Sequence, residues 1–241
     1  NRGDARHSWA ILALLVRFIR EYWPQTRIVF RGDSHFSKPR LLAWCDRNQV
    51  DYIVGMARNQ RLEALAAPAM DKVRTYYEAH GHKLASTFRF RYKARSWHKP
   101  RWVVARLEYG PQGPNPRFVI SSRYDDGFKL YYEQYCARGD MENRIKDQQL
   151  DLFAGRTSST HWWTNQWRLI LSGFAYTLFE RLRVHLKNTP FERMSAGTLR
   201  LKLIKVGAVI IRNTRRIRVL MSDSYPHKND LSALVQRLVP Q

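Results

Sequence analysis

The stretch that decides the fold is Arg27-Ile28-Val29-Phe30-Arg31-Gly32-Asp33-Ser34-His35-Phe36. Its β-branched and aromatic residues predict a short strand over residues 27–30, which Gly32 ends. Asp33 therefore lies at the carboxyl end of a strand, and a helix is predicted from about Pro39 to Asn48. Ligands of open α/β sheets bind at strand ends, so Asp33 is a candidate functional residue.

The sequence on either side of this stretch also alternates between helix and strand. Apolar residues recur at helical spacing from Ser8, and the pattern stops near Pro24. After the predicted helix come a strand at residues 52–54 and a helix from about Gln60 to Glu78. The first eighty residues therefore predict an α/β core.

The period changes between Lys83 and Ser121. Three strands without helices between them, at residues 87–92, 102–107 and 117–120, predict an antiparallel subdomain. From Gly127 the pattern is helical again, with a long helix from about His161 to Leu186. Near the end, residues 208–211 and 216–220 predict a hairpin, and a short helix follows at residues 230–238.

The charge of the chain points to a polyanionic partner. Its 241 residues include 42 Lys and Arg against 20 Asp and Glu, which gives a formal net charge of +22. Nucleic acid is the favoured partner because neutralised phosphates release counterions, and a membrane surface is the weaker alternative. Any single basic cluster could equally be a solvated surface.

Composition also excludes some classes of protein. Cys45 and Cys136 are far apart and lack metal-ligand spacing, so free thiols in a reducing compartment are expected. The longest apolar run, Ala10 to Val16, is much shorter than the roughly 20 residues that span a bilayer. Because the chain begins at Asn1 without a Met or a leader, we expect a fragment of a longer protein.

Two acids are candidates for phosphodiester chemistry. Two divalent ions about 4 Å apart can activate an attacking oxygen and stabilise a leaving one, and Mg²⁺ prefers carboxylate ligands. Asp33 and Glu142 could supply such ligands. Asp33 could instead cap a turn or helix, and Glu142 could form an ordinary pair with Lys146 one helical turn later.

Two motifs resemble those of insertion-sequence DDE transposases. The run from Phe30 to Phe36 resembles the family's second-aspartate motif, in which arginine, a small residue and aspartate leave a core strand. The run from Tyr135 to Asn143 is similar to its third motif, with the tyrosine, arginine and glutamate at this spacing. Residues 165–169 and 175–176 look like the following helix in group 1 of the transposase DDE domain.

This resemblance implies a fold and an activity. The fold would be an α/β ribonuclease-H-like core with an antiparallel β insertion and a helical carboxy-terminal part. The implied parts are a partial core at 1–82, the β-rich insertion at 83–124, the helical remainder at 125–190 and a basic helix and hairpin region at 191–241. The intact protein would cleave DNA at transposon ends and join the freed 3′ ends to target DNA in the bacterial cytoplasm, associated with the nucleoid.

The resemblance also implies site residues and partners. Asp33 and Glu142 would be catalytic and would hold two Mg²⁺ or Mn²⁺ ions, and the partners would be double-stranded DNA and a second copy of the chain. Tyr135 could equally be a core residue, and Trp163 is more often a core residue than a base-stacking one. The residues expected at the DNA are Tyr135, Arg138, Lys146, Gln149, Arg31, Arg168 and Trp163.

Two departures from the family pattern leave other functions open. No strand ending in an acid precedes Trp9, and Asp4 is a poor substitute for the first aspartate, so the fragment alone is expected to be inactive. Gln149 stands where the family has lysine, and Lys146 lies nearer to Glu142. The alternatives are a non-catalytic basic module that binds nucleic acid and a degenerate transposase copy.

Overall fold

The computed structural model describes residues 7–238 of the chain, and these residues form two compact units. The first unit ends at Gly139 and the second begins at Asp140. The first is a mixed α/β unit built around one sheet, and the second is mainly helical with a two-stranded hairpin.

Five strands of the first unit form one continuous sheet. Strand β1 is parallel to β2, and the remaining neighbours are antiparallel, in the spatial order β1-β2-β7-β4-β3. A separate small ladder joins β5 to β6. The strands are β1 (Val29–Gly32), β2 (Asp51–Met56), β3 (Ser86–Tyr92), β4 (Arg101–Leu107), β5 (Tyr109–Gly110), β6 (Gly113–Pro114) and β7 (Arg117–Ser121).

The described part of the first unit contains three α-helices. They are α1 (Ser8–Tyr22), α2 (Pro39–Arg47) and α3 (Gln60–His80), of which α3 begins and ends at capping residues. The Asn59 side chain accepts a hydrogen bond from the Leu62 N–H at the start of α3, and Gly81 ends α3 with a φ of 70°. The predicted alternation of helix and strand in the first eighty residues is confirmed.

The strands predicted as an antiparallel subdomain belong to the same sheet as β1 and β2. Their antiparallel pairing is confirmed, but β7 also pairs with β2, and Val54 lies opposite Ile120. Phe118, Val119 and Ile120 are all buried, which is typical of a central strand covered on both faces. The three strands therefore do not form a sheet of their own, and the four-part division of the chain stays a prediction.

Both faces of this sheet are covered. Tyr52 and Val54 belong to one buried cluster together with residues of α1, α2 and α3. Ile53 belongs to a second buried cluster, with Leu130 and Tyr131 from a π-helical segment at Lys129–Tyr135. Because successive strand residues point to opposite faces, β2 separates the three helices from this segment. The segment ends at Tyr135 and thereby brings that residue to the sheet.

The second unit contains several helices and one hairpin. Its core includes Phe179, Phe191, Leu199 and Leu234. The hairpin predicted near residue 213 and the helix predicted at 230–238 are confirmed with small shifts in their ends. The elements are α4 (Gly139–Lys146), α5 (Trp162–His185), α6 (Ala196–Leu199), β8 (Ala208–Arg212), β9 (Ile217–Met221) and α7 (Lys228–Leu238), with wide turns at Asp147–Asp151 and Arg200–Ile204.

Candidate active site

Asp33 lies where the sequence predicted it, directly after the last residue of β1. One carboxylate oxygen, Oδ1, accepts a hydrogen bond from the His35 N–H at 2.9 Å and lies 3.3 Å from His35 Nδ1. Asp33 thus caps the short helical turn Ser34–Phe36. Within residues 7–238, no hydrogen-bond donor reaches the other oxygen, Oδ2, and the side chain is 40% exposed. One oxygen therefore has a structural role while the other is open to a ligand.

Tyr135 approaches the same strand end from a distant part of the sequence. A Cβ built on Gly55 would overlap the Tyr135 hydroxyl, and it would lie 3.1 Å from the Ser34 nitrogen and 3.3 Å from the Asp33 carbonyl carbon. The hydroxyl therefore lies against the bare backbone of β2, beside the residues that follow β1. Glycine inside a strand often marks such an approach, so the run 52–55 did carry a signal for this site that we missed.

The pKa of the Tyr135 hydroxyl reflects its surroundings. Burial raises the pKa above its usual value, and the charge of Asp33 raises it further. The charge of Arg138 and a hydrogen bond from its side chain act in the opposite direction. The Arg138 guanidinium carbon is 5.9 Å from the centre of the Tyr135 ring. The net shift is upward, so Tyr135 is protonated at neutral pH and can donate a hydrogen bond.

A pocket of about 370 Å³ opens beside these residues. Asp33, Gly55 and Tyr135 line it, and Arg58 and Arg117 add positive charge to its wall. An aspartate, a tyrosine and two arginines thus line one cavity. This combination suits a phosphate group with an associated cation, because guanidinium and hydroxyl groups donate to phosphate oxygens.

The second unit carries Glu142, Lys146 and Gln149. Glu142 is exposed in the first turn of α4, and Lys146 is exposed in its last turn. Lys146 also lines a cleft of about 790 Å³, whose wall carries Arg144 and Arg193 as well as three aspartates, Asp140, Asp147 and Asp151. Gln149 is exposed in the wide turn after α4. Glu142 and Lys146 are thus four residues apart on one helix, while Gln149 belongs to the next turn.

A buried ion pair fixes this part of the second unit. Arg183 on α5 donates from Nη2 to Asp147 Oδ2 at 2.6 Å, and both residues are buried. Arg183 also pairs with Glu180 and donates to the Met194 carbonyl oxygen. Since breaking a buried pair leaves an uncompensated charge, this contact holds the turn after α4 to α5. Sequence patterns did not indicate this pair, because an isolated Asp and an isolated Arg 36 residues apart form no motif.

The comparison with known protein families agrees with the resemblance to DDE transposases. The family model for the transposase DDE domain, group 1, matches residues 1–241. The chain belongs to this family. A DDE transposase domain implies a role in DNA transposition and the cleavage of nucleic acid. No curated protein matches the chain.

Three further residues expected at the DNA have defined positions in this DDE domain. Arg31 donates to the Gln134 carbonyl oxygen at 2.9 Å and so ties β1 to the segment that ends at Tyr135. Arg168 donates to the Arg156 carbonyl oxygen at 3.3 Å. Trp163 is 76% exposed, so the expectation of a core residue is wrong. It lies in the first turn of α5 and packs edge-to-face on Trp162, outside the buried cluster.

DDE transposases generally use divalent metal ions, so the arrangement of the acidic side chains is of interest. Within residues 7–238, no three His, Cys, Asp or Glu side chains form a group that could hold a metal ion. Asp4 lies outside the described residues. Asp33 by itself fits a hard cation, because its side chain is 40% exposed and its Oδ2 accepts no hydrogen bond from the described part of the chain.

The same described range contains no helix with both the length and the apolar character that crossing a lipid bilayer requires.

Proposed function

We propose that this protein acts at transposon ends, where it hydrolyses a DNA strand and joins the freed 3′ end to target DNA. Membership of the transposase family supports a nucleic-acid substrate. The single observation that carries the proposal is that Asp33 and Tyr135 lie close together at one strand end, although 102 positions separate them in the sequence. A turn-capping aspartate alone gives no reason for a half-buried tyrosine, with an arginine next to its ring, to lie beside it.

Asp33 and Glu142 are the proposed ligands of two Mg²⁺ or Mn²⁺ ions, together with a third carboxylate of the family. Bound ions would supply an activated water and a stabilised leaving oxygen. The uncoordinated Oδ2 of Asp33 and the exposed carboxylate of Glu142 have the oxygen chemistry such ions prefer. In a chain with 42 Lys and Arg, Asp33 pairs only with His35 within residues 7–238, which leaves its charge available.

Tyr135 and Arg138 are proposed to bind the phosphate next to the cleaved bond. Tyr135 keeps its proton because burial raises its pKa, and it therefore donates a hydrogen bond to a phosphate oxygen. Arg138 lies beside the Tyr135 ring and adds a permanent positive charge. Both groups stabilise negative charge that develops on the phosphate, and neither is needed as a general base.

Lys146 is proposed to bind DNA in place of the family lysine, whose position Gln149 occupies. Lys146 is exposed at a cleft that also carries Arg144 and Arg193, so it can reach a phosphate without losing a buried partner. We further propose duplex DNA as the partner, two copies of the chain in the complex that holds both ends, and a site of action in the bacterial cytoplasm. Arg31, Arg168 and Trp163 remain proposed DNA contacts.

The test is a double-mutant cycle in which Mn²⁺ binding is measured through the electron paramagnetic resonance signal of the ion. Asp33→Asn and Glu142→Gln are each expected to weaken binding at least tenfold, and the double variant should be little weaker than either single one. Such non-additivity is expected because the two carboxylates would share the same ions. Asp223→Asn and Glu63→Gln are matched controls, since Asp223 is an exposed loop acid and Glu63 lies in the first turn of α3.

The same variants separate the proposal from its alternative. Asp33 does cap the turn Ser34–Phe36, which is the role it would have in a non-catalytic module or a degenerate copy. In that case Asp33→Asn would lower stability slightly and leave Mn²⁺ binding unchanged. Additive effects of the two substitutions would mean that the carboxylates bind separate ions, and the shared metal site would be rejected.

A further inference from the structure

The segment from residue 193 to residue 222 carries a net positive charge. It contains eight Lys and Arg residues and no Asp or Glu. The β8–β9 hairpin forms the second half of this segment, and four of the eight cations, Arg212, Arg215, Arg216 and Arg218, lie in or next to its turn. Within residues 7–238, no acidic side chain pairs with any of these four. Their charge is therefore not neutralised by the described protein.

The arginines of the hairpin are distributed over both of its faces. Arg212 lies opposite Ile217, and the next pair along the ladder sets Ile211 opposite Arg218. Because successive residues of a strand point to opposite faces, Arg212 and Arg218 point in opposite directions. Arg215 and Arg216 occupy the turn between them. A hairpin that lay flat on a surface would need its cations on one face, whereas this arrangement suits a site with phosphates on both sides.

The turn is closed by three hydrogen bonds that involve Asn213. Asn213 Oδ1 accepts hydrogen bonds from the N–H groups of Arg215 at 3.1 Å and Arg216 at 2.8 Å. The Asn213 N–H in turn donates to the Arg216 carbonyl oxygen at 3.0 Å. This Asx-type turn fixes the backbone of the two tip arginines, so less conformational entropy is lost when they bind a ligand.

The rest of the hairpin is exposed and apolar. All ten strand residues are exposed, and they include Val209, Ile210, Ile217 and Val219. An isolated two-stranded hairpin is at best marginally stable in water, and apolar side chains on both faces increase the cost of leaving it uncovered. A bound partner would cover these side chains, and the net charge of the segment selects a polyanion.

We propose that the β8–β9 hairpin is a DNA-binding arm whose tip enters the major groove of duplex DNA. That groove is about 12 Å wide and accommodates a two-stranded ribbon, with a phosphate backbone on each side. The arginines of the two faces then contact opposite backbones, while apolar side chains near the tip face the thymine methyl groups of the groove floor. The proposal concerns binding alone and holds whether or not Asp33 and Glu142 share metal ions.

The test measures DNA affinity over a range of salt concentrations with the full chain, a duplex of random sequence about 30 base pairs long, and EDTA. Replacing all four arginines by glutamine is expected to reduce the slope of log K against log salt by about three to four, because each lost phosphate contact removes about 0.9. Replacing the same four by lysine should preserve the slope. The matched control replaces four exposed cations of the first unit, Arg17, Arg47, Lys72 and Arg95, by glutamine.

Each outcome decides the proposal. A large loss of slope in the hairpin variant, with a clearly smaller loss in the control, supports the arm. Equal losses in the two glutamine variants show that the hairpin contributes only to the general charge, and the arm is rejected. If the hairpin variant keeps the slope but changes the sedimentation coefficient of the free protein, the hairpin joins two copies of the chain, which also rejects a DNA-binding arm. Folding of every variant is checked by its circular dichroism spectrum.

Discussion

Strands β7 and β8 have similar sequences and opposite environments. In β7, Phe118, Val119 and Ile120 are at most 2% exposed, because β2 and β4 flank the strand and buried clusters cover both faces. In β8, Val209 is 64% exposed and Ile210 is 69% exposed. Both runs are short and apolar, and both were predicted as strands. The difference shows that an apolar strand pattern predicts pairing but not burial.

The two regions also differ in what they are suited to do. Around β1, β2 and β7, the sheet holds Asp33 and Tyr135 close together through packed backbone and a bare glycine. The hairpin packs little against the described protein and carries unpaired arginines. A rigid sheet edge suits chemistry that needs fixed distances, whereas an exposed arm suits contacts with a long polyanion.

The largest expected difference between the regions is in core truncation. Ile120→Ala should lower the free energy of unfolding by about 2–5 kcal/mol, because it leaves a cavity at a fully buried position. Ile210→Ala removes the same atoms from an exposed position and should change the free energy of unfolding by less than about 0.5 kcal/mol. Urea unfolding followed by circular dichroism measures both. Equal losses would mean that the hairpin is covered as thoroughly as the sheet.

Glycine substitution tests the close approach at the sheet edge. Gly55→Ala should cost about 1–3 kcal/mol, because the added methyl group overlaps the Tyr135 hydroxyl. Adding Tyr135→Phe removes that hydroxyl and should restore part of the loss. Gly207→Ala, just before β8, is the control, since a Cβ there meets nothing within 4 Å. If Gly55→Ala is as harmless as the control, Tyr135 does not lie against β2. Thermal unfolding provides the measurement.

Loss of an asparagine side chain should have a smaller effect. Asn59→Ala removes the acceptor at the start of α3 and should cost about 1 kcal/mol. Asn213→Ala removes the acceptor in the hairpin turn and should change overall stability by less than about 0.5 kcal/mol, because the turn is exposed. Hydrogen exchange at the Arg215 and Arg216 amides should nevertheless become faster. Unchanged exchange would show that Asn213 does not order the turn.

The two cysteines should differ in their reactivity towards thiol reagents. Burial raises the pKa of the Cys45 thiol to about 12, whereas Cys136 is exposed. At pH 8 a thiol reagent should modify Cys136 quickly, and a Cys136→Ser protein should react only as it unfolds. Rapid labelling of that variant would contradict the burial of Cys45.

The raised pKa of Cys45 should also make the stability of the protein depend on pH in the alkaline range. Below about pH 9 the thiol keeps its proton in both states, so its contribution to stability is complete. Above that pH the unfolded chain ionises first, and the free energy of unfolding should fall as the pH rises towards 12.

Sequence patterns predicted the local structure and part of the site. Helical spacing predicted α1, α3 and α5, and the motifs around Asp33 and Tyr135 predicted that both belong to one site. The neighbours of β7 were not predictable, because strand pairing over long distances leaves no local signal. The burial of Asp147 with Arg183 and the exposure of Trp163 were also missed, since both depend on which elements pack together.

The amino-acid sequence by itself determined the membership in the transposase family, the basic charge, and the position of Asp33 after a strand. These properties depend on neighbouring residues or on composition, which a single chain carries in full. The tertiary structure alone decided that β7 lies in the centre of the sheet, that Gly55 admits the Tyr135 hydroxyl, and that the β8–β9 hairpin stays exposed. Such outcomes depend on contacts between residues that are far apart in the sequence, and only the packed molecule brings those residues together.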